Sequence, residues 1–453
     1  MTTLSIVVGE WLHAANRSPH QIKGRRLGRR SDKKSDKKTD TTRKYLISPT
    51  VDAVCGGSLS LVIAILVIAY SSAVPGGLSS DLLKTGILFP LLYLLTDFLI
   101  NIPHFMASYR VLYSRPSSFR KHPGVTIAGP IIGIAFLVYV GCWTPPGNTP
   151  ASLAPDLVEA DLVETGVVET GVVETGVVET DVVETDGSVA TAAATQPTSM
   201  LFLSLYVAPI VLGWHYVGQS WGTTACFAFL SGFRMSVTQR RLIRSGFYAL
   251  FAYHVVWAFS SMQLLQTWYP EQQAGEYMNV AVMSTCRVVV LACFALGIFG
   301  FFQMARDHQK RVPALVWLPW LATFSWYVMV DISPASFFLL QIFHALQYLM
   351  FPARVEINHY VEREQGEDKQ GERGYLRFHM IAYYLALVVV GLFAFEWTQV
   401  LEWTLVKNPP SNLVILGTAT MVVINLHHYF IDAVIWKIRD PEVRHSIFGH
   451  LES

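Results

Sequence analysis

Apolar residues recur along this chain in blocks of about 20, and short polar or charged segments separate the blocks. A helix of that length crosses a hydrocarbon core of about 30 Å and satisfies its own backbone hydrogen bonds inside the lipid. The pattern therefore predicts an all-α, polytopic transmembrane helical bundle of about ten spans. The predicted spans are residues 48–72, 84–108, 124–143, 200–222, 245–268, 281–304, 313–330, 333–352, 375–398 and 411–436.

The basic residues predict the orientation of these spans. Residues 1–45 carry twelve Lys or Arg, and every even-numbered span is followed by further basic side chains. These are Arg110, Arg115, Arg120 and Lys121; Arg234, Arg240, Arg241 and Arg244; Arg306, Lys310 and Arg311; Arg354; and Lys437, Arg439 and Arg444. Since basic loops stay on the cytoplasmic side, both termini are expected there, in a multi-pass protein of the cell membrane.

This topology divides the chain into five regions. They are a basic cytoplasmic tail (1–45), three transmembrane helices (46–143), an external loop (144–198), seven further transmembrane helices (199–437) and a cytoplasmic C-terminal tail (438–453). The external loop has ten Asp or Glu, no Lys or Arg, and a Thr-Gly-Val-Val-Glu repeat between Val158 and Asp186. A five-residue period fits neither a helix nor a strand, so the loop is expected to be low-complexity and disordered.

The amino-acid composition is typical of a membrane protein and indicates which classes of binding partner to expect. Of the 453 residues, 52% are hydrophobic and only 15% are charged, against about 25% charged in soluble domains. The five cysteines show no metal-like spacing and are interpreted as structural. A basic arm can bind nucleic acid or anionic lipid, but a solvated tail is the favoured interpretation. The lipid bilayer is the expected partner, no nucleic acid is expected, and the sequence indicates no particular protein partner.

Four predicted spans each carry a histidine with polar neighbours at helical spacing. The second span has Asp97, Asn101 and His104; the fourth has His215 and Gln219; the eighth has Gln341, His344, Gln347 and Tyr348; the tenth has His427, His428 and Asp432. Residues three, four or seven apart share one face of a helix. Such a polar face is expensive in lipid, so the four faces are expected to meet inside the bundle.

These histidines predict an intramembrane metal site. Counting from the basic ends of their spans, three of them lie roughly 9–15 Å above the inner interface. Imidazole is a common ligand for iron, zinc and copper. We predict His104, His215, His344 and His428 as ligands. His428 is preferred to the adjacent His427 because Asp432 lies one turn along the helical face of His428. Ligating histidines need acceptors on the other ring nitrogen, and the candidate supporting residues are Asp97, Gln219, Gln347, Tyr348 and Asp432. A helix-locking hydrogen-bond network without metal stays open as the alternative.

The order of these motifs resembles the Brp/Blh-type β-carotene dioxygenases, polytopic membrane enzymes in which histidine-bound iron cleaves an apolar polyene with O₂. The resemblance rests on Pro103-His104, on His215 followed by Gly218, on His344, and on His428 followed by Asp432. Tyr348 stands where that family has a further histidine. The resemblance implies non-haem iron at these four histidines and an apolar small-molecule substrate.

Two classes of function follow from these features. The first is a membrane oxidoreductase, with histidine-bound iron as an oxygenase centre or with haem held by two of the histidines as the alternative cofactor. The second is a transporter in which histidines and carboxylates relay protons. No inverted repeat of the kind common in transporters is visible among the spans. A non-catalytic structural membrane protein is the remaining alternative.

The charge pattern generates a test of topology. A reporter fused after Ser453 is expected to be cytoplasmic, and one inserted near Gly176 to be external, because an even number of spans separates the two termini. Protease protection in sealed vesicles measures both positions. Finding both reporters on the same side of the membrane would contradict the predicted arrangement.

Overall fold

The structure is a computed structural model, and it describes residues 45–74, 95–142, 196–261, 272–364, 373–405, 412–438 and 440–452. Within these ranges the regular elements are helices and no β-strand occurs. The basic tail and the repeat-containing loop lie outside the described residues, apart from Tyr45 and residues 196–198.

Twelve helices form the described part of the chain. They are α1 (Pro49–Ala73), α2 (Asp97–Asn101 continued by Ile102–Tyr113), α3 (Pro116–Lys121), α4 (Gly124–Cys142), α5 (Gln196–Leu230), α6 (Val237–Ser261), α7 (Gln272–His308), α8 (Ala314–Ile332), α9 (Phe337–Glu364), α10 (Arg373–Leu405), α11 (Asn412–Ile435) and α12 (Pro441–Glu452). A 3₁₀ turn at Pro334–Ser336 joins α8 to α9.

A helix occupies the position of each of the ten predicted spans. Eight of the described helices, namely α1, α4 and α6 to α11, are long and apolar enough to cross a membrane. The other two predicted spans correspond to α2 and to α5. Residues 84–94 of the predicted second span lie outside the described residues. The all-α polytopic fold class is confirmed.

Several helix boundaries differ from the sequence prediction. Helix α6 begins at Val237, although the basic residues 240–244 had been interpreted as a loop. The Ser236 hydroxyl accepts the Gln239 amide, and the Gln239 side chain accepts the Ser236 amide. This reciprocal capping starts the helix early. Arginine side chains can occupy the first turns of a span because their heads extend to the interface.

The predicted C-terminal tail contains helix α12, which packs against the C-terminal half of α9. Its apolar face buries Val443, Ile447 and Phe448. The Asn358 side chain of α9 donates to the carbonyl of Ser446 at 2.8 Å. A single amphipathic helix of three turns gives a weak sequence signal beside the long spans, and this helix was therefore missed.

Four helices form the centre of the bundle. Helix α2 packs against α9 and α11, and α5 also packs against both. Around them, α4 and α10 cover α11, α6 covers α5, and α1 packs on α8. The inward faces of α2, α5, α9 and α11 are therefore shielded from lipid by protein, and these are the faces that carry the four histidines.

A glycine kink brings α1 against this centre. Gly57 has φ of 144°, inside a π-helical turn at Val54–Ser58. Beside the kink, the Gln347 side chain of α9 donates to the Gly56 carbonyl at 3.2 Å. A Cβ at Gly57 would lie 2.8 Å from the Cβ of Ala322 in α8. The position therefore requires glycine for its dihedral angle and for its space.

We expect Gly57→Ala to destabilise the bundle, because a left-handed backbone angle costs a non-glycine residue about 1–3 kcal/mol before any clash is counted. The thermal unfolding temperature of detergent-purified protein should fall by several degrees. Gly222→Ala in α5 is the matched control, since a Cβ there meets nothing within 4 Å. Equal unfolding temperatures for the two variants would show that the kink is not required.

Candidate metal centre

Four histidines meet at the centre of the bundle, one from each inner helix. His104 follows Pro103 in the first turn after the π-helical segment of α2, and His215 lies in the middle of α5. His344 and His428 come from α9 and α11. All four side chains are buried, with exposed fractions of 7% or less. The structure thus places together the four residues that were predicted as ligands.

Their nitrogens converge on one small volume. One ring nitrogen from each histidine can be chosen so that all four atoms lie within 4.8 Å of one another. The Nε2 atoms of His215 and His344 are 2.9 Å apart. The His104 and His428 ring centroids are separated by 4.5 Å and lie edge to face. Ligands on opposite sides of one ion are at most about 4.2 Å apart for bonds of about 2.1 Å. The spread of 4.8 Å is slightly larger, so a small inward movement of the rings would bring the four nitrogens to the size of a single-ion site.

Most of these nitrogens lack a well-formed hydrogen bond. Neither ring nitrogen of His104 or His428 has a hydrogen bond of acceptable geometry, and the Nδ1 of His344 also has none. A neutral imidazole offers one donor and one acceptor. Leaving such groups unpaired in an apolar interior costs about 1–3 kcal/mol each. This concentration of unpaired nitrogens is the property that a bound cation would compensate.

Asp432 is the carboxylate that reaches the cluster. Its Oδ1 accepts hydrogen bonds from Ser108 at 2.8 Å and from Tyr348 at 2.9 Å. Its Oδ2 lies 3.4 Å from Nε2 of His428 and 3.7 Å from Nε2 of His215. The Trp436 indole donates to the Tyr348 hydroxyl at 3.1 Å, and the Ser108 and Tyr348 hydroxyls are in contact. Three helices therefore fix the orientation of this carboxylate.

Ser108 and Trp436 were missed in the sequence, although the spacing could have found them. Ser108 lies four residues after His104, and Trp436 lies four residues after Asp432. Ser108 therefore sits on the histidine-bearing face of α2, and Trp436 directly follows the last residue of α11. A serine in a membrane span is common without any functional role, so it is a weak signal.

The other predicted supporting residues, Gln219, Gln347 and Asp97, bond to backbone or to side chains other than the four histidine rings. Gln219 donates to the backbone carbonyl of His344 at 2.9 Å, which joins α5 to α9 at the level of the cluster. Gln347 accepts from Ser220 and donates to Gly56, so it braces the helices. Asp97 accepts from Asn101 at 2.8 Å, and the structure describes no contact between Asp97 and the four rings.

The neighbouring His427 has a separate role. Its Nδ1 accepts from the Tyr109 hydroxyl at 2.9 Å, and its Nε2 donates to the Val125 carbonyl at 2.8 Å. Both nitrogens are thus satisfied, and the ring links α11 to α2 and α4. His254 is also outside the cluster: it contacts Tyr327, and the ring of Tyr216 lies between it and His344.

Aromatic side chains enclose the four rings. Phe105 lies 4.7 Å from His428, Tyr216 lies 4.6 Å from His344, and Tyr429 lies 4.7 Å from His215, measured between ring centroids. Phe395 from α10 packs against Phe105 with the two rings tilted by 55°. This enclosure keeps the local dielectric low, which strengthens electrostatic interactions at the cluster.

Comparison of the chain with protein-family models, with curated proteins and with solved structures gave no match. The class is therefore defined by the molecule itself. The chain is a multi-pass α-helical membrane protein with a buried four-histidine cluster at the junction of four helices.

Proposed function

We propose that this protein is an integral membrane metalloprotein whose ion is held by His104, His215, His344 and His428. One observation supports this above all others: one nitrogen from each of four buried imidazoles lies within 4.8 Å of the others, and most of the ring nitrogens lack a well-formed hydrogen bond. A hydrogen-bonded network would be expected to pair donors with acceptors. Among the four rings, a hydrogen bond is described between His215 and His344.

The donor set fits a first-row transition metal. Imidazole nitrogens suit iron, zinc and copper, whereas magnesium and calcium prefer oxygen ligands. Haem, the alternative cofactor, fits less well, because two axial histidines must face each other across a flat macrocycle. Here four rings from four helices surround one point. The geometry favours a single non-haem ion, and the preference for iron rests on the resemblance to the carotene dioxygenases.

We further propose an oxidoreductase that acts on an apolar substrate from the lipid phase. Bound iron would supply the activation of O₂. The chain itself supplies the enclosure: Phe105, Tyr216 and Tyr429 surround the cluster and exclude water from it. Tyr348 and Ser108 hold protons at Oδ1 of Asp432, which keeps exchangeable protons next to the metal position. A proton relay for transport would use the same groups, and metal content separates the two functions.

Purified protein is expected to carry about one metal ion per chain, since each histidine supplies one nitrogen to a shared centre. Single alanine substitutions at His104, His215, His344 or His428 should lower occupancy by at least tenfold at limiting metal. Inductively coupled plasma mass spectrometry of protein in detergent measures the content, and an optical spectrum reports any haem.

His254→Ala is the matched control, because this buried histidine lies in a neighbouring helix outside the cluster. Its variant should keep wild-type metal content. The proposal fails if the wild-type protein is metal-free and cannot be loaded with iron, zinc or copper. The hydrogen-bond network and the transporter or structural functions would then be favoured.

The oxygenase function has a separate test. Iron-loaded protein in lipid nanodiscs is expected to consume O₂ when an apolar polyene such as β-carotene is present, and His344→Ala should abolish the uptake. An oxygen electrode follows the reaction, with zinc-loaded protein as the inactive reference. A protein that binds iron but consumes no O₂ with any apolar polyene tested would remove the oxygenase proposal and leave the metal centre standing.

A further inference from the structure

We propose that Asp432 is itself a metal ligand through Oδ2, giving a centre of four histidines and one carboxylate. The sequence had indicated a supporting role, in which Asp432 orients His428 from one turn away. This inference rests on the proposed metal site and goes beyond it, because it assigns the fifth ligand and hence the charge of the centre.

The two carboxylate oxygens have different surroundings. Oδ1 is occupied by two hydroxyl donors, Ser108 and Tyr348. The contacts described for Oδ2 are with the histidines: it lies 3.4 Å from Nε2 of His428 and 3.7 Å from Nε2 of His215. An oxygen with two donors is held in place, and the C–O geometry then fixes the direction of the other oxygen. The hydroxyls thus aim Oδ2 into the cluster.

The position of Oδ2 matches a ligand better than a supporting acceptor. A supporting carboxylate accepts from the ring nitrogen that faces away from the metal. Oδ2 instead lies 3.7 Å from His215 Nε2, the same nitrogen that faces His344 Nε2 at 2.9 Å. It is therefore on the inner side of the ring. Separations of 3.4 and 3.7 Å are too long for good hydrogen bonds. Neighbouring ligands on one ion lie about 3–3.6 Å apart for bonds of about 2.1 Å, so the first separation falls inside this range and the second lies just above it.

Charge supports the same assignment. Four neutral imidazoles leave the charge of a divalent ion uncompensated in an interior of low dielectric, where an unpaired charge is strongly disfavoured. Asp432 is the carboxylate that contacts these rings among the described residues, and its exposed fraction is 8%. A direct bond to this anion would halve the net charge of the centre.

A thiolate at the same position gives a direct test. In Asp432→Cys loaded with Co²⁺, a sulfur within bonding reach produces an intense sulfur-to-cobalt charge-transfer band in the near ultraviolet, since thiolate binds such ions readily. We expect this band in the variant and not in the wild-type protein, whose spectrum serves as the baseline. Asp97→Cys is the control, because Asp97 pairs with Asn101, and it should give no band.

The outcomes separate this inference from the proposed function. Wild-type protein that binds no metal removes both. Wild-type protein that binds cobalt, combined with a folded and cobalt-loaded Asp432→Cys variant that lacks the band, removes the ligand assignment alone. Asp432 would then act only on the histidines, and its loss would cost about 10–100-fold in affinity.

Two further measurements apply if the cysteine variant does not fold. Asp432→Asn retains the shape of the side chain and should change the electron paramagnetic resonance spectrum of bound Cu²⁺. The unsubstituted protein with Co²⁺ should show the weak visible absorption of a five-coordinate ion. The strong absorption of a four-coordinate tetrahedral ion would overturn the proposal without any variant.

Discussion

The structure depends on four imidazoles that meet where lipid and protein offer them few partners. At a solvent-exposed position, water would satisfy such rings. Inside a helical bundle each unpaired nitrogen is a cost, and here the cost is concentrated at one point by His104, His215, His344 and His428. A bound cation converts these nitrogens from unsatisfied groups into ligands. The same groups that would destabilise the empty bundle would then join its four inner helices.

The rest of the bundle serves to hold these helices in register. Gln219 joins α5 to α9 at the level of the rings, and Gln347 joins α9 to the kink of α1. His427 links α11 to α2 and α4 through hydrogen bonds at both ring nitrogens. Polar groups on these inner faces are therefore used as specific connections between helices. Such connections are expected in a membrane protein, because hydrophobic burial cannot select one helix packing over another in lipid.

Much of this architecture could be predicted from the sequence because length and polarity are strong signals in a membrane chain. The helical class and the meeting of the four histidines followed from apolar blocks and from helical spacing. Asp97 was expected to share the face of His104. A π-helical turn at Asp97–Asn101 changes that register, because it inserts an extra residue into the turn. Such a turn has no composition signal.

The side-chain contacts between helices could also not be predicted from the sequence. The choice of His428 over His427 was made from one neighbour at helical spacing, and the structure agrees with it. Asp432 can contact either the ring nitrogen that faces away from the centre of the cluster or the one that faces it. The rotation of α11 against α2 and α9 decides which nitrogen it contacts. That rotation is set by packing of many side chains at once, including the Ser108 and Tyr348 hydroxyls. Spacing along one helix carries no information about it.

X-ray absorption at the K-edge of the metal bound to purified protein tests the central claim most directly, because scattering from imidazole rings reports the number of histidine ligands. We predict one ion surrounded by four imidazole nitrogens at about 2.0–2.2 Å. A bound metal whose nearest shell contains water or other oxygen atoms and no imidazole would contradict the account.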